Sequence, residues 1–240
     1  MSILTIAQNV ATATGFSSPT SVVGSADELA IQLLSLIREE TRSLSDRFPW
    51  QKLVKRGTFP FVSGTESYIL PTDFKDFIPG TIWNYTARRP LIAPISSQDY
   101  EIQKNYLISS GIDKMVYVYN NLIYITPTPS SADTINYEYT TLNIYQTSGG
   151  VGKAAITLDT DVTTIPEYLV EMGTKLRFLV AKSLISTAEL QGSYEALDYE
   201  AQIQRAILKD GFGRKQLSMS GRSNAWWMGA YTQDSDYPSA

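Results

Sequence analysis

The stretch VTTIPEYLVEMGTKLRFLVAKSL, residues 162–184, predicts a long helix in the second half of the chain. Thr164 and Glu167 have the spacing of a capping box, and Pro166 between them suits a first helical turn. Apolar residues recur every three or four positions, as they do on one face of a helix: Leu169, Met172, Leu176, Leu179, Val180 and Leu184. Such a helix needs other elements to cover its apolar face.

Two further stretches predict helices that could provide this cover. The segment 25–48, SADELAIQLLSLIREETRSLSDRF, repeats leucine and isoleucine at helical spacing, and Ser25 with Glu28 predicts a capping box at its start. A second helix follows Gly192 and ends at Gly211, since glycine commonly terminates helices. Its apolar residues are Leu197, Ala201 and Ile207.

The region between these helices has a different period. From about Gly57 to Thr160 apolar and polar residues alternate, which is typical of strands. Asn120 and Asn121 separate the runs MVYVY and LIYI, and asparagine tolerates the positive φ of a tight hairpin turn. The segment 58–70, TFPFVSGTESYIL, predicts another hairpin with SGTE at its turn.

Two more features of this region complete the predicted fold. The run DTINYEYTTL, residues 133–142, predicts a strand, and ISSQDYEIQKNYLISSG, residues 95–111, a short helix that Ser96 and Asp99 cap. We therefore predict an α+β fold, in which a helical layer from N- and C-terminal segments brackets an inserted antiparallel β lobe. The predicted units are an N-terminal arm (1–25), a helical domain (26–56 and 161–210), a β-rich insertion (57–160) and a C-terminal arm (211–240).

Both ends of the sequence have unusual compositions. Residues 1–25 carry no charged side chain and many small or β-branched ones, which favours an extended arm. Residues 211–240 have the composition of a flexible tail, yet contain the adjacent Trp226 and Trp227. Neighbouring side chains of an extended chain point in opposite directions, so one sheet face cannot bury both. Tryptophan outside a core often marks an interface, and we predict that this pair anchors a partner.

The composition excludes several classes of function. The 240 residues contain no cysteine and no histidine, which removes disulfides, Ser-His-Asp and Cys-His catalysis and the commonest metal ligand. No apolar run approaches the ~20 residues that a membrane helix needs, and the first residues lack the basic region of a signal peptide. We expect an intracellular protein that is not an enzyme and needs neither cofactor nor metal.

The few motifs that resemble chemical sites have simpler explanations. GGVGK, residues 149–153, lacks the spacing of a phosphate-binding loop, which favours a plain β loop. Paired acids such as Asp159 and Asp161 are expected to serve as caps and turns. The 15 tyrosines favour cross-strand pairing, with a sugar- or RNA-binding platform as the alternative.

Short basic clusters remain as candidates for contact with phosphate or DNA. Because the net charge is −4, any such contact is expected to be weak and independent of base sequence. The candidate residues are Lys52, Lys55, Arg56, Arg88 and Arg89.

Three segments, taken in order, match a known pattern. They are RFPWQKLVKRGTFPFVSGTESYILPTDFKDFI (47–78), NNLIYITPTPSSADTINYEYTT (120–141) and the opening stretch 162–184. Their order and spacing resemble the head-to-tail adaptor proteins of tailed bacteriophages. The resemblance covers roughly residues 26–210, and its motifs are structural rather than catalytic.

The resemblance implies a structural virion protein, assembled in the host cytoplasm, that forms a ring beneath the portal, commonly of twelve copies. Such a ring continues the DNA channel and contacts genomic DNA transiently. Its β lobe faces tail-tube, nozzle or tail-fibre components. Another tail-tube or tail-completion ring protein is a rival interpretation, and a β-sandwich carbohydrate-binding module is a more distant one.

The resemblance also gives the C-terminal arm a role. We predict that the arm leaves its helix at Gly211 and Gly213, because glycine lets the chain turn away, and that it docks on the portal. The predicted portal-contact residues are Arg214, Lys215, Arg222, Trp226, Trp227 and Tyr231.

Overall fold

The computed structural model describes residues 1–105 and 114–211, which form six α-helices and eleven β-strands. The helices are Ile3–Ala13 (α1), Glu28–Arg47 (α2), Ser97–Asn105 (α3), Glu167–Ala181 (α4), Thr187–Gln191 (α5) and Tyr194–Gly211 (α6). The strands are Val54–Pro60 (β1), Ser67–Ile69 (β2), Phe74–Phe77 (β3), Trp83–Asn84 (β4), Arg89–Pro90 (β5), Met115–Tyr119 (β6), Leu122–Thr126 (β7), Thr134–Thr141 (β8), Tyr145–Gln146 (β9), Gly152–Lys153 (β10) and Val162–Thr163 (β11).

The predicted α+β class is confirmed, with helices towards both ends of the chain and strands between them. Apolar side chains are buried in two clusters. The first cluster is formed by α1, α2, α4 and α6 together with residues between 144 and 165. The second cluster is formed by the sheets of the β-rich middle.

The strands pair in three antiparallel sheets. The largest has the order β1-β8-β4-β5, with β3 also paired to β8, and the others have the orders β2-β7-β6 and β10-β9-β11. Asn120 and Asn121 join β6 to β7 with φ angles of 48° and 60°, which confirms the predicted turn. The hairpin predicted for residues 58–70 is wrong, because β1 pairs with β8 and β2 with β7. Phe61, whose side chain is fully buried, lies between β1 of the largest sheet and β2 of the sheet that contains β7.

A glycine makes room for a tyrosine ring in the largest sheet. Gly57 of β1 lies opposite Tyr137 of β8, and a β-carbon at Gly57 would overlap the tyrosine ring. Ile135, Tyr137 and Tyr139 alternate along β8 and are all buried. These tyrosines therefore pack inside the β lobe, as the cross-strand interpretation predicted, and do not form a binding platform.

The N-terminal segment is the largest departure from the sequence prediction. Residues 1–25 were expected to be an extended arm, but Ile3–Ala13 is a helix, which Ser2 caps by accepting a hydrogen bond from the Thr5 N–H at 3.2 Å. Its buried residues recur at helical spacing: Ile3, Ile6, Ala7, Val10 and Ala11. Because α2 and α4 both pack against α1, much of its surface is covered by other helices, which explains why α1 lacks a charged face.

The start of α2 differs from the predicted capping box of Ser25 and Glu28. The helix begins after Asp27, whose carboxylate accepts a hydrogen bond from the Leu29 N–H at 3.3 Å. Ser25 accepts a hydrogen bond from the Asp27 N–H instead, so it positions the cap residue rather than capping the helix itself.

The start of α4 also differs from the predicted box of Thr164 and Glu167. The Thr164 N–H donates to the Ile144 carbonyl at 3.1 Å, which holds it beside β9 and outside the helix. Pro166 occupies the cap position without a side-chain hydrogen bond. The carboxylate of Glu167 pairs with the amino group of Met1.

The buried surface of α4 is wider than the predicted stripe. Leu169 and Leu176 are buried as expected, but so are Val170 and Phe178, whereas Leu184 is exposed beyond the helix end. The reason is the position of α4, which contacts α1, α2 and α6 at once. A helix surrounded on several sides does not show a single apolar face in its sequence.

One buried carboxylate joins three of these helices. Glu40 of α2, 4% exposed, accepts hydrogen bonds from the Arg177 guanidinium of α4 and the Tyr199 hydroxyl of α6. Burial, followed by the charge of Glu40, raises the pKa of Tyr199, so its hydroxyl stays protonated and donates. Arg177 also pairs with Glu39. The charge is thus paired and hydrogen-bonded, as a buried charge must be.

Gly173 makes room for this network. A β-carbon at position 173 would lie 2.5 Å from the carboxyl carbon of Glu40 and 2.5 Å from the Tyr199 hydroxyl. Both groups are fixed by their mutual hydrogen bond and by Arg177. Neither group can move away without breaking the network.

We predict that Gly173→Ala destabilises the protein by about 1–3 kcal/mol, the usual cost of overfilling a core. Glycine-to-alanine changes inside helices ordinarily stabilise, so the sign itself is informative. The measurement is the free energy of unfolding in urea. Thr174→Val is the matched control, because the buried Thr174 hydroxyl has no hydrogen-bond partner among the described residues and its removal should cost little. A stabilised Gly173→Ala variant would contradict the packing argument.

Candidate functional site

The predicted basic residues fall into paired and unpaired groups. Lys55 Nζ lies 2.6 Å from Asp73 Oδ2, and Arg56 Nη2 lies 3.0 Å from Glu138 Oε1. These two cations are therefore partly neutralised. Within residues 1–105 and 114–211, the predicted cations that form no ion pair are Lys52, Arg88 and Arg89.

The fold does not gather the five cations into one patch. Lys55 of β1 lies opposite Tyr139 of β8. Asn84 of β4 lies opposite Ile135 of β8, and Arg89 of β5 pairs with Asn84. Four residues of strand separate these two β8 positions, or about 13 Å. These five candidate cations are therefore spread over the structure and are not joined in one basic surface.

The acidic residues are structural, as predicted. Asp159 accepts hydrogen bonds from the Val22 and Val23 N–H groups and the Ser21 hydroxyl, at 3.0, 2.8 and 2.7 Å. It thereby fastens the segment between α1 and α2 to the chain before α4. Burial alone would raise the pKa of Asp159, but these hydrogen bonds outweigh it and hold the pKa below its ordinary value of 3.8.

Asp161 organises the glycine-rich loop. It is fully buried, and accepts hydrogen bonds from Lys153 Nζ at 2.9 Å and from the Thr157 and Leu158 N–H groups. Burial opposes ionisation, yet these bonds hold the pKa of Asp161 below 3.8. The lysine of GGVGK is therefore occupied inside the protein, and the loop is the plain β loop that the sequence favoured.

Two adjoining grooves lie beside the start of α4, and the first also reaches the end of α6 at Lys209 and Asp210. The first has a volume of about 340 Å³ and the second about 420 Å³, and both are lined by Lys52, Pro166 and Tyr168. Gln51 fixes the last turn of α6 through its backbone N–H and side-chain amide, which donate to Asp210 at 2.9 and 2.7 Å. The last turn of α6 is thus attached to the segment that follows α2.

The predicted C-terminal interface begins at this point. Gly211, one of the two predicted hinge residues, is the last residue of α6. The other predicted residues lie outside the described residues: Gly213, Arg214, Lys215, Arg222, Trp226, Trp227 and Tyr231.

The outward face of α6 carries a second apolar stripe, which the sequence reading missed. Tyr194, Leu197 and Leu208 are 91%, 59% and 65% exposed, whereas Tyr199 and Ile203 on the opposite face are buried. The exposed residues recur at the spacing of a helix-helix seam. Leu197 was predicted as one of the apolar residues of this helix, and the structure places it on the outside. The helical spacing of these residues is visible in the sequence. The sequence does not show which face of the helix packs against the core.

Two negative findings concern only the part of the chain that the structure describes. In that part, no helix is both long enough and apolar enough to span a membrane. The same residues contain no cluster of acids suited to hold a metal ion.

A sequence model of the SU10 adaptor protein family matches residues 1–226. The chain therefore belongs to this family of phage head-to-tail adaptors, which confirms the resemblance predicted above. The family makes it a structural protein of the virion that takes part in tail assembly. A comparison with curated proteins found no match.

We predict a loss of stability in acid that depends on Asp159 and Asp161. The pKa values of Asp159 and Asp161 are lowered on folding, so their contribution is complete above the unfolded pKa and is lost as pH falls through the folded pKa. The free energy of unfolding should therefore decline from about pH 5 downwards. Asp161→Asn should be less stable than wild type at pH 7 and show a flatter decline in urea titrations at pH 7, 5, 4 and 3. An unchanged slope in this variant would exclude Asp161 as a source of the acid sensitivity.

Proposed function

We propose that this protein is a ring-shaped adaptor that joins the capsid portal to the tail and continues the DNA channel. The observation that carries the proposal is the family match over residues 1–226. In this proposal the helical domain (26–56 and 161–210), together with α1, forms the ring. Glu40 ties three helices of this domain together. The insertion 57–160 faces the tail.

The exposed stripe of α6 supports self-association. Tyr194, Leu197 and Leu208 leave apolar area in water on an edge helix of the layer. In a ring of about twelve subunits, every subunit has a second copy of the chain beside it, and this copy is the proposed partner of the stripe. Burying this stripe between neighbours removes that area from water.

We predict that the double variant Leu197→Glu, Leu208→Glu folds but does not assemble. Both side chains are exposed, so the substitutions spare the core, while two carboxylates in a subunit contact are strongly unfavourable. Sedimentation velocity should show a monomer where the wild type shows a ring. The matched control adds the same charge at exposed loop positions of the β lobe, Ser63→Glu with Ser130→Glu, and should assemble normally. Normal rings from the α6 variant would remove this stripe from the subunit contact.

The C-terminal arm is proposed to dock on the portal. Gly211 and Gly213 would let the chain turn away from α6, and the adjacent Trp226 and Trp227 would fill pockets on opposite sides of an extended strap. A buried aromatic hides ~150–250 Å², or roughly 4–6 kcal/mol gross per ring. Fixing each arm residue costs about 1–2 kcal/mol, so the anchors are needed for docking to be favourable. In this proposal the cationic contacts are made by Arg214, Lys215 and Arg222. Tyr231 makes an aromatic contact in addition to the two tryptophans.

We predict that the double variant Trp226→Ala, Trp227→Ala, and a chain that ends at Gly211, fold and assemble but no longer join the portal. Co-sedimentation with purified portal-bearing heads measures the binding, and thermal unfolding checks the fold. Tyr237→Ala, in the same segment but outside the assigned contacts, is the control. If the truncated chain binds portal like wild type, or fails to fold, the arm does not have this role.

Contact with genomic DNA is proposed to be transient and independent of base sequence. Lys55 and Arg56 are engaged by Asp73 and Glu138, which leaves Lys52, Arg88 and Arg89 as the freer cations. A net charge of −4 suits a passage that must release its DNA.

A further inference from the structure

The grooves beside the start of α4 share part of their lining. Lys52, Pro166 and Tyr168 border both the first groove, of about 340 Å³, and the second, of about 420 Å³. The side chain of Tyr168 is 48% exposed. These shared residues therefore form the boundary between two open grooves.

Each groove combines apolar residues with positive charge. Trp50 and Ala206 line the first groove and Ile165 lines the second, and all three are buried beneath it. Lys52 and Lys209 are exposed, and neither forms an ion pair within the described part of the chain. An ammonium group is attracted to the face of an aromatic ring, and to tryptophan most strongly. Such a lining suits an indole side chain.

The chain itself continues towards these grooves. The helix α6 ends at Gly211, and Lys209 in its last turn lines the first groove. Residues 212–225, outside the described residues, link this end to Trp226 and Trp227. As a flexible chain this link spans on the order of 20 Å, and fully extended about 50 Å. Both grooves of the same subunit are therefore within reach of the two tryptophans.

We propose that in the free subunit Trp226 and Trp227 dock on that subunit's own two grooves, with one ring in each. Neighbouring side chains of an extended chain point to opposite sides, so a backbone that crosses the boundary at Tyr168 places one ring on either side of it. The groove volumes fall within the range of about 300–1,000 Å³ that is typical of binding sites. The short link keeps the effective concentration of the rings in the millimolar range, of order 10⁻³ M, which favours the subunit's own grooves.

This docking regulates the portal-binding arm, and in that respect it rests on the function proposed above. The grooves and the portal compete for the same pair of rings. The apparent affinity for the portal is therefore reduced by the fraction of subunits whose arm is free. An arm that is free about one-tenth of the time binds the portal about tenfold more weakly than an unrestrained arm. The grooves thus keep the aromatic anchors out of water until a portal is present.

The first test measures the exposure of Trp226 and Trp227 in the full-length protein by acrylamide quenching of tryptophan fluorescence. Trp50 is 2% exposed, and the change Trp83→Phe removes the other tryptophan of the described residues. In this background we expect the C-terminal pair to be shielded. The double variant Lys52→Ala with Tyr168→Ala should raise the quenching of the pair to that of the peptide 220–233 free in solution.

Two further variants guard this test against loss of folding. Lys52→Ala alone changes only an exposed, unpaired side chain and should give a smaller rise in the same direction. Tyr85→Ala with Arg88→Ala is the matched control, because it removes an exposed aromatic ring and an exposed cation from the β lobe and should leave the quenching unchanged. Thermal unfolding checks that each variant is folded.

Three results of the quenching measurement would overturn the proposal. The first is wild-type tryptophans that are as accessible as those of the free peptide. The second is a folded groove variant whose quenching equals that of its parent. The third is shielding that disappears on dilution, because docking within one subunit does not depend on protein concentration.

Binding to purified portal-bearing heads separates this inference from the proposed function. We expect the variant Lys52→Ala with Tyr168→Ala to bind heads about tenfold more tightly than wild type, because its anchors are no longer occupied. Equal binding would show that the grooves and the portal do not compete, which overturns the regulatory role. If neither protein binds heads although the groove variant releases the tryptophans, the portal-docking function fails while the groove docking stands.

Discussion

The buried carboxylate of Glu40 is the constraint on which the helical layer depends. It lies where α2, α4 and α6 meet, and its charge is tolerable only because Arg177 and Tyr199 both donate to it. Removing one partner from such a site typically costs about 3–5 kcal/mol. The network also requires Gly173, since any larger residue occupies the same space. Three helices from distant parts of the sequence are thus fixed in one arrangement.

Polar side chains extend this arrangement to the connecting segments. Asp159 fastens the chain between α1 and α2, and Asp161 fastens the glycine-rich loop through Lys153. In the β lobe, Asp73 has the same role, accepting hydrogen bonds from Lys55, Tyr139 and Thr141. The acids and cations that the sequence offered as candidates thus hold loops and strands together. These charged residues therefore have structural partners in the part of the chain that the structure describes.

The surfaces proposed to dock partners are separate from these structural contacts. The exposed stripe of α6 faces away from Tyr199 and Ile203, which are buried. The stripe therefore lies on a helix whose opposite face is packed in the core. An adaptor benefits from this separation, because subunit, portal and tail contacts can each form without disturbing the fold.

The sequence by itself determined the α+β class, the helices α2, α4 and α6, and the Asn120-Asn121 turn, because these follow from periodicity and turn chemistry within a few residues. It also carried the family motifs. Only the tertiary structure decided that α1 is a helix, that β1 pairs with β8, that Leu197 faces outward, and which cations are neutralised. Those outcomes depend on which distant segments meet. Local patterns give the faces of an element but not the neighbour that covers each face.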